Sequence, residues 1–278
     1  MTAFLQVFYQ ILAKLLQRQA VAPRSNDLPN ISAFLISDKP AGFLLSWVAG
    51  FVDTSAFIIL FGIFTAHVTG NIALAGSSFV REDAEMTITH LLMLPMFVLI
   101  VALTSLLARY ARRKQWSVFA VLLTAEAIAL SIFLIIGTQL SPALLLDVQE
   151  EYIFPIGMSG VVAMAIQNAL MKEAKGVFKS YIPTTVMTEN TTQLTIDLVQ
   201  FLSAKFAKSE AAKLEATEAW ERMSRFIPVI IGFTLGGFSS VFFVLVSESW
   251  WSLTFPLVII SILAIAAYVE HARQSSAS

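Results

Sequence analysis

Six stretches of this chain are each long enough to cross the ~30 Å hydrocarbon layer as a helix of about 20 residues, and each carries at most one charged side chain. They run over residues 42–62, 91–110, 116–137, 152–171, 226–246 and 250–269. A soluble core does not need so much apolar chain. Of the 278 residues 57% are hydrophobic and 13% are charged, and mean hydropathy is +0.75; soluble domains carry about 25% charged residues. Inside lipid each backbone polar group must be satisfied within its own segment, so the pattern predicts an all-α membrane protein with six transmembrane helices. The net charge of −1 offers no electrostatic footprint for nucleic acid. With no cysteine there is no disulfide framework, thiolate metal site or cysteine nucleophile. HExxH, Walker and GxGxxG motifs are absent, and neither a metal nor a cofactor is expected.

Two further stretches do not fit as spans. Residues 41–80 are uncharged apart from Asp53; as a continuous helix they would reach about 60 Å, which two crossings would use up with nothing left for the turn. Residues 183–206 are long enough but too polar, with Glu189, Asn190, Gln193, Asp197 and Gln200. Residues 64–80 and 183–206 are therefore predicted as re-entrant or broken segments buried within protein. With six spans and a cytoplasmic N-terminus, every Lys and Arg except Arg81 falls on the cytoplasmic side, as the positive-inside rule requires; eight spans would scatter them. Both termini are then cytoplasmic. Residues 1–38 read as a leading unit, an amphipathic interfacial helix over Phe4–Leu16 and a proline-containing linker over 19–40. Residues 39–278 form the polytopic domain. The stretch 204–225 reads as a solvated helix, and Trp116, Trp220, Trp250 and Trp251 as interfacial aromatics.

The domain divides into halves, about 40–140 and 150–272, with one layout. The first has a span with a mid-length polar residue, Asp53, then Thr69-Gly70-Asn71, then two spans. The second has a span with Gln167-Asn168, then Thr188-Glu189-Asn190, then two spans. Three spans per half is an odd number, so the halves are predicted to be oppositely oriented, the inverted-repeat design common among transporters.

GFVDTSAF (50–57), AHVTGNIALAG (66–76), AMAIQNA (163–169) and PTTVMTENTTQL (183–194) together resemble the YoaK-type family of bacterial multi-pass membrane proteins, a family of unknown function. The resemblance covers roughly residues 40–270. It implies a six- or seven-span protein of the bacterial inner membrane and assigns no activity. The family usually has Gly where this chain has Ala165 and Glu189, so the second turn departs from the first.

Asp53 lies near the centre of its span on a small, polar face with Ser46 and Gly50, which suits a proton or cation coupling site; an intramembrane acid at that depth costs about 2.5–3.5 kcal/mol on insertion scales. The alternative is an acid hydrogen-bonded to backbone for packing alone. Glu126 shares its face with Phe119, Leu122, Leu123, Leu130 and Phe133, and reads as a second relay acid, a subunit contact or a satisfied carboxyl. The two Thr-x-Asn triplets are expected to cap short helices. A helix N-terminus at mid-depth would present N–H groups to a solute. Gly70 would serve a tight turn or a close approach. Gln167 and Asn168 read either as solute ligands or as interhelical amides. The predicted substrate site is therefore Asp53, Thr69, Asn71, Gln167, Asn168, Thr188, Glu189 and Asn190, with Asp53 and Glu126 as ion-coupling acids. His67, two residues before Thr69, reads as a loop histidine in preference to a pH sensor, and Gly232-x-x-x-Gly236 as close helix packing.

The reading that unites these features is a small-solute transporter or permease, not an enzyme. Its partners are the lipid bilayer and a small solute with a proton or cation, with homo-oligomerisation left open. A non-transporting scaffold or sensor is the alternative. An intramembrane serine hydrolase built on Gly157-Met158-Ser159-Gly160 lacks a histidine base in the last span.

Overall fold

A computed structural model describes residues 30–141, 148–174, 182–206, 209–247 and 249–277. The chain divides into two compact units, 1–31 and 32–278, and the helix expected over Phe4–Leu16 lies outside the described residues. Among the described residues there are helices and no strands. In order they are α1 (Ile31–Leu35), α2 (Asp38–Ile59), α3 (Val68–Val80), α4 (Ala84–Arg113), α5 (Val118–Leu140), α6 (Glu150–Glu173), α7 (Met187–Phe206), α8 (Glu210–Ser247), a 3₁₀ turn (Trp250–Leu253) and α9 (Thr254–Ala277). The described part of the expected 19–40 linker thus holds α1 and the first residues of α2.

Six of these, α2, α4, α5, α6, α8 and α9, are long and apolar enough to span a membrane, and each overlaps one of the six stretches marked by composition. The protein is membrane-spanning and all-helical. Local chemistry sets several starts: the Asp83 side chain accepts from the Met86 N–H to cap α4, and Ser117 accepts from Ala120 to cap α5. Arg112 and Arg113 fall in the last turn of α4, where cations suit the helix dipole.

The packing of the two halves repeats. Helix α2 packs on α8 and α6 on α4; α3 packs on α4 and α7 on α8; α5 packs on α6 and α9 on α2; α5 and α9 meet each other, as do α2 and α6. Exchanging α2–α5 for α6–α9 maps these pairs onto one another; the exception is α4, which also packs on α5, whereas α8 and α9 each pack on the 3₁₀ turn between them. The most buried spans are α2 and α6, and the least buried are α4 and α8. The core is filled by Phe51, Leu60, Phe119, Leu123, Phe133, Ile156 and Trp250.

Where α2 meets α8 there is no room for side chains. A Cβ on Gly50 would lie 2.2 Å from the Phe233 carbonyl oxygen, one on Gly232 2.4 Å from that of Phe43, and one on Gly236 2.1 Å from that of Trp47. The Gly232/Gly236 pair is thus a close-packing seam, as its spacing indicates.

Four expectations are corrected. First, α3 and α7 are not enclosed by protein: α3 leaves Ile72, Phe79 and Val80 exposed, and α7 leaves Ile196, Val199 and Phe206 exposed, because each packs chiefly against one helix. Second, 204–225 is not a separate solvated helix. Its larger part opens α8, burying Ala212, Ala219 and Met223, and Arg222 Nε lies 2.8 Å from Oδ1 of the fully buried Asp197 on α7. Third, Trp250 is fully buried against Phe133, ring centroids 5.5 Å apart, because Gly137 leaves a slot for its indole. Trp116, Trp220 and Trp251 are exposed. Fourth, the Thr-x-Asn triplets do not cap helices. Helix α3 starts at Val68 with His67 in the cap position, and α7 starts at Met187, so both triplets lie inside a first turn.

Candidate functional site: two helix breaks that meet

Helix α2 ends in a left-handed turn at Phe61 (φ 51°) and Gly62 (φ 99°), with the Gly62 N–H donating back to Phe57 O at 2.9 Å. This is the position where glycine's tolerance of positive φ matters. The chain then runs without helix from Ile63 to His67 before α3 begins. Backbone freed by such a break must find partners, and Asp53 provides them. Its Oδ1 accepts from the Thr65 N–H (2.8 Å), the Ala66 N–H (2.7 Å) and the Thr65 hydroxyl (3.2 Å). Its Oδ2 lies 2.5 Å from His67 Nδ1. Asp53 and Thr65 are almost fully buried, while the His67 side chain is 35% exposed.

Asn71 closes the same turn. Its Oδ1 accepts from the Phe64 N–H (2.9 Å) and its Nδ2 donates to Phe64 O (2.7 Å). Gly70 sits under the Phe64 ring, where a Cβ would come within 2.7 Å of a ring carbon. Its role is close approach rather than positive φ.

The second turn is built alike. Residues 182–186 run without helix before α7, and the Asn190 Nδ2 donates to Pro183 O at 2.6 Å, again across seven residues. Proline has no N–H, so here the second hydrogen bond is missing and Asn190 Oδ1 is buried without a partner among the described residues. Helix α6 supplies the anchors. Gln167 Nε2 donates to Thr184 Oγ1 (3.1 Å) and to Leu45 O on α2 (2.7 Å); Asn168 Oδ1 accepts from the Thr185 hydroxyl (2.6 Å). Replacing Asn71 by Leu is therefore expected to lower stability more than replacing Asn190 by Leu, by about 1 kcal/mol for the extra hydrogen bond. Parallel thermal melts of the two purified variants would check this; equal losses would mean that the Phe64 N–H finds another acceptor.

The two breaks touch. The His67 ring, paired to Asp53 on one side, lies beside the backbone of Thr185. It is flanked edge-on by Phe64 and by Phe233 of α8, ring centroids 5.7 Å away in each case. Gly160 on α6 approaches so closely that its Cβ would meet the Thr65 methyl at 2.6 Å.

The structure thus gathers Asp53, Gln167, Asn168, Asn71 and Asn190 into the two turns. Asn71, Asn190, Gln167 and Asn168 spend amide hydrogen bonds on protein, while Gln167 Oε1 is buried without a partner among the described residues. Thr69, Thr188 and Glu189 are exposed on the first turns of α3 and α7. Glu126 is fully buried in α5, among the apolar residues of its face, and among the described residues neither carboxylate oxygen has a partner and no contact ties it to Asp53. Sequence reasoning set His67 aside and missed Thr65, Thr184 and Thr185. A signal was present: FTAHVTGN and PTTVMTEN align Thr65 with Thr184 when the Thr-x-Asn triplets are superposed and extended backwards. Among the described residues no group of three or more His, Asp or Glu is placed to hold a metal.

No curated protein and no solved structure matches the chain. One family model matches residues 41–266, a range that takes in both turns, nearly all of the first five spans and the first half of α9. The chain belongs to the family described as protein of unknown function, DUF1275.

Proposed function

We propose that this protein is a proton-coupled transporter of a small solute in the bacterial inner membrane, and that it is not an enzyme. The observation that carries this reading is the Asp53–His67 pair: a carboxylate–imidazole contact of 2.5 Å at a helix break, whose histidine also reaches the opposite break. Asp53 organises the first turn through two backbone N–H groups, so adding a proton to its carboxyl weakens the tie between α2 and that turn. A proton on or off this pair therefore changes a contact between the two halves, which is the physical requirement for coupling.

The repeated packing supports an inverted repeat, because three spans per half place equivalent helices in opposite directions. The distribution of Lys and Arg supports cytoplasmic termini. The Ser159 hydroxyl donates to the Ile156 carbonyl at 2.7 Å and has no histidine beside it, which favours a structural role over a nucleophilic one. Lipid and a small solute are the partners this reading requires; a homo-oligomer is compatible with it.

The test is transport by the purified full chain in sealed liposomes that enclose a pH-sensitive dye. Amino acids, sugars, organic acids and organic cations are offered under an imposed pH gradient. Proton entry that depends on one class of solute is expected. Uptake indifferent to the gradient would remove proton coupling. No uptake of any class would leave the scaffold or sensor as the better reading.

A further inference from the structure

Between the second turn, the start of α7 and the middle of α8 lies a cavity of about 480 Å³, within the usual range for small-molecule sites. Ile182 and Pro183 wall it from the turn, Glu189 and Gln193 from α7, and Arg222, Arg225 and Phe226 from α8. The Asp53–His67 pair makes no use of it.

Both guanidiniums on the wall are committed to protein. Arg222 Nε bonds to Oδ1 of the fully buried Asp197 (2.8 Å), Nη2 bonds to Gln200 Oε1 (2.9 Å), and Nη1 lies 4.0 Å from Glu218 Oε2. Arg225 pairs with Glu221 at 3.2 Å. Three carboxylates thus already answer two guanidiniums. Asp197 stands behind the wall, where its Oδ1 also accepts from Gln193 Nε2 at 3.3 Å, and its buried Oδ2 has no partner among the described residues. Glu189 is a fourth carboxylate, exposed at the cavity and in no hydrogen bond or ion pair among the described residues. The surplus charge at the cavity is therefore negative, and the carboxylate that carries it into the open space is Glu189.

Glu189 and Gln193 are four residues apart and so stand on one face of α7. Gln193 spends its NH₂ on Asp197, which leaves its amide oxygen as the group it offers a ligand. The α7 wall thus presents acceptors and a negative charge, and Ile182, Pro183 and Phe226 supply apolar surface. An anion would be repelled by Glu189, and a neutral solute would leave its charge unanswered. We infer that this cavity binds a small aliphatic primary amine as its ammonium ion, the NH₃⁺ group donating to the Glu189 carboxylate and the Gln193 amide oxygen, and the alkyl chain lying against Ile182, Pro183 and Phe226. An ammonium ion has three donors and no acceptor, which suits a wall whose arginines are already engaged. An aromatic ring such as that of Phe226 also attracts a cation. A quaternary ammonium carries the charge without the N–H groups and cannot use the Gln193 oxygen as a hydrogen-bond acceptor. The inference names the substrate class of the transporter proposed above and rests on that reading.

The test is calorimetric titration of the detergent-purified full chain at neutral pH, where an aliphatic amine is protonated. Four probes share one carbon skeleton: 3-methylbutylamine, the uncharged 3-methylbutan-1-ol, the anion 3-methylbutanoate, and N,N,N-trimethyl-3-methylbutylammonium, a cation without N–H groups. The amine is expected to bind at least about tenfold more tightly than any of the others, because hydrogen bonds between charged partners are the strong class. Glu189→Gln should erase its advantage over the alcohol, and Glu189→Asp, which keeps the charge, should retain it. The inference is overturned if the amine does not bind, if any of the other three probes binds as tightly, or if the preference for amine over alcohol survives Glu189→Gln. The unmodified chain decides the first two outcomes, so a variant that folds poorly does not shelter the proposal. No binding of the amine, with solute-dependent proton entry intact in liposomes, removes the amine assignment and keeps the transporter. Binding of the amine without uptake of any solute removes the transporter and keeps the site.

Discussion

Asp53→Asn is expected to reduce accumulation driven by a pH gradient to the level of empty liposomes while leaving the melting temperature of the purified protein nearly unchanged. The amide retains an oxygen where Oδ1 accepts from the Thr65 and Ala66 N–H groups. Its NH₂ replaces Oδ2 opposite His67 Nδ1, and a neutral imidazole protonated at Nε2 can accept there. The turn is kept and the titratable carboxyl is lost. Asp53→Ala provides the contrast, because it orphans two buried backbone donors at about 1–3 kcal/mol each and should melt well below the parent. If Asp53→Asn accumulates solute like the parent, Asp53 is a structural clasp and coupling lies elsewhere. Should Asp53→Asn melt as low as Asp53→Ala, the charge rather than the hydrogen-bonding shape holds the turn.

The second large effect is expected at the α2–α8 seam. Gly236→Ala would place a Cβ 2.1 Å from the Trp47 carbonyl oxygen and 3.0 Å from the Phe51 nitrogen. The obstacles are main chain, which cannot rotate aside, so the helices must separate. Overpacking usually costs about 1–3 kcal/mol, and main-chain obstacles place this substitution at the upper end or beyond. Gly236→Leu should yield little monodisperse protein. The control is Gly76 in α3, where a Cβ would meet nothing within 4 Å. Gly76→Ala should be neutral or raise stability, since alanine favours a helix over glycine by about 1 kcal/mol. Thermal melts read through the five tryptophans would compare the two. Equal melting of Gly236→Ala and Gly76→Ala would mean that the seam is looser than the structure has it.

Parts of the site were legible because they rest on local pattern. An acid in an apolar span and a Thr-x-Asn triplet after it are visible along the chain, and both lie in the turns. What the triplets do was not legible. Asn71 and Asn190 were expected to cap a helix and face a solute, whereas both reach back seven residues to close their own turn. A side-chain amide within reach of several backbone groups is assigned by geometry alone. His67 was passed over because its partner, Asp53, is fourteen residues away across a helix break, a separation that marks no periodicity. Arg222 and Asp197, twenty-five residues apart, looked like solvated helix and polar segment until α7 and α8 were laid against each other.

The number and placement of the six spans, the all-helical class, the break before each Thr-x-Asn triplet and the Gly232/Gly236 seam were all determined by the sequence alone. Each follows from an interaction local in the chain: the length of apolar helix that lipid demands, the absence of lipid-facing unpaired backbone, the lack of a Cβ at a repeated spacing. The tertiary structure decided which buried polar group meets which. It paired Asp53 with His67, brought His67 to Thr185 of the other half, placed Glu126 apart from both, buried Trp250 and set Arg222 against Asp197. These are contacts between helices far apart in sequence. They depend on crossing angles and rotations about helix axes, which hydrophobic pattern leaves undetermined because every lipid-facing and many core-facing positions are apolar alike.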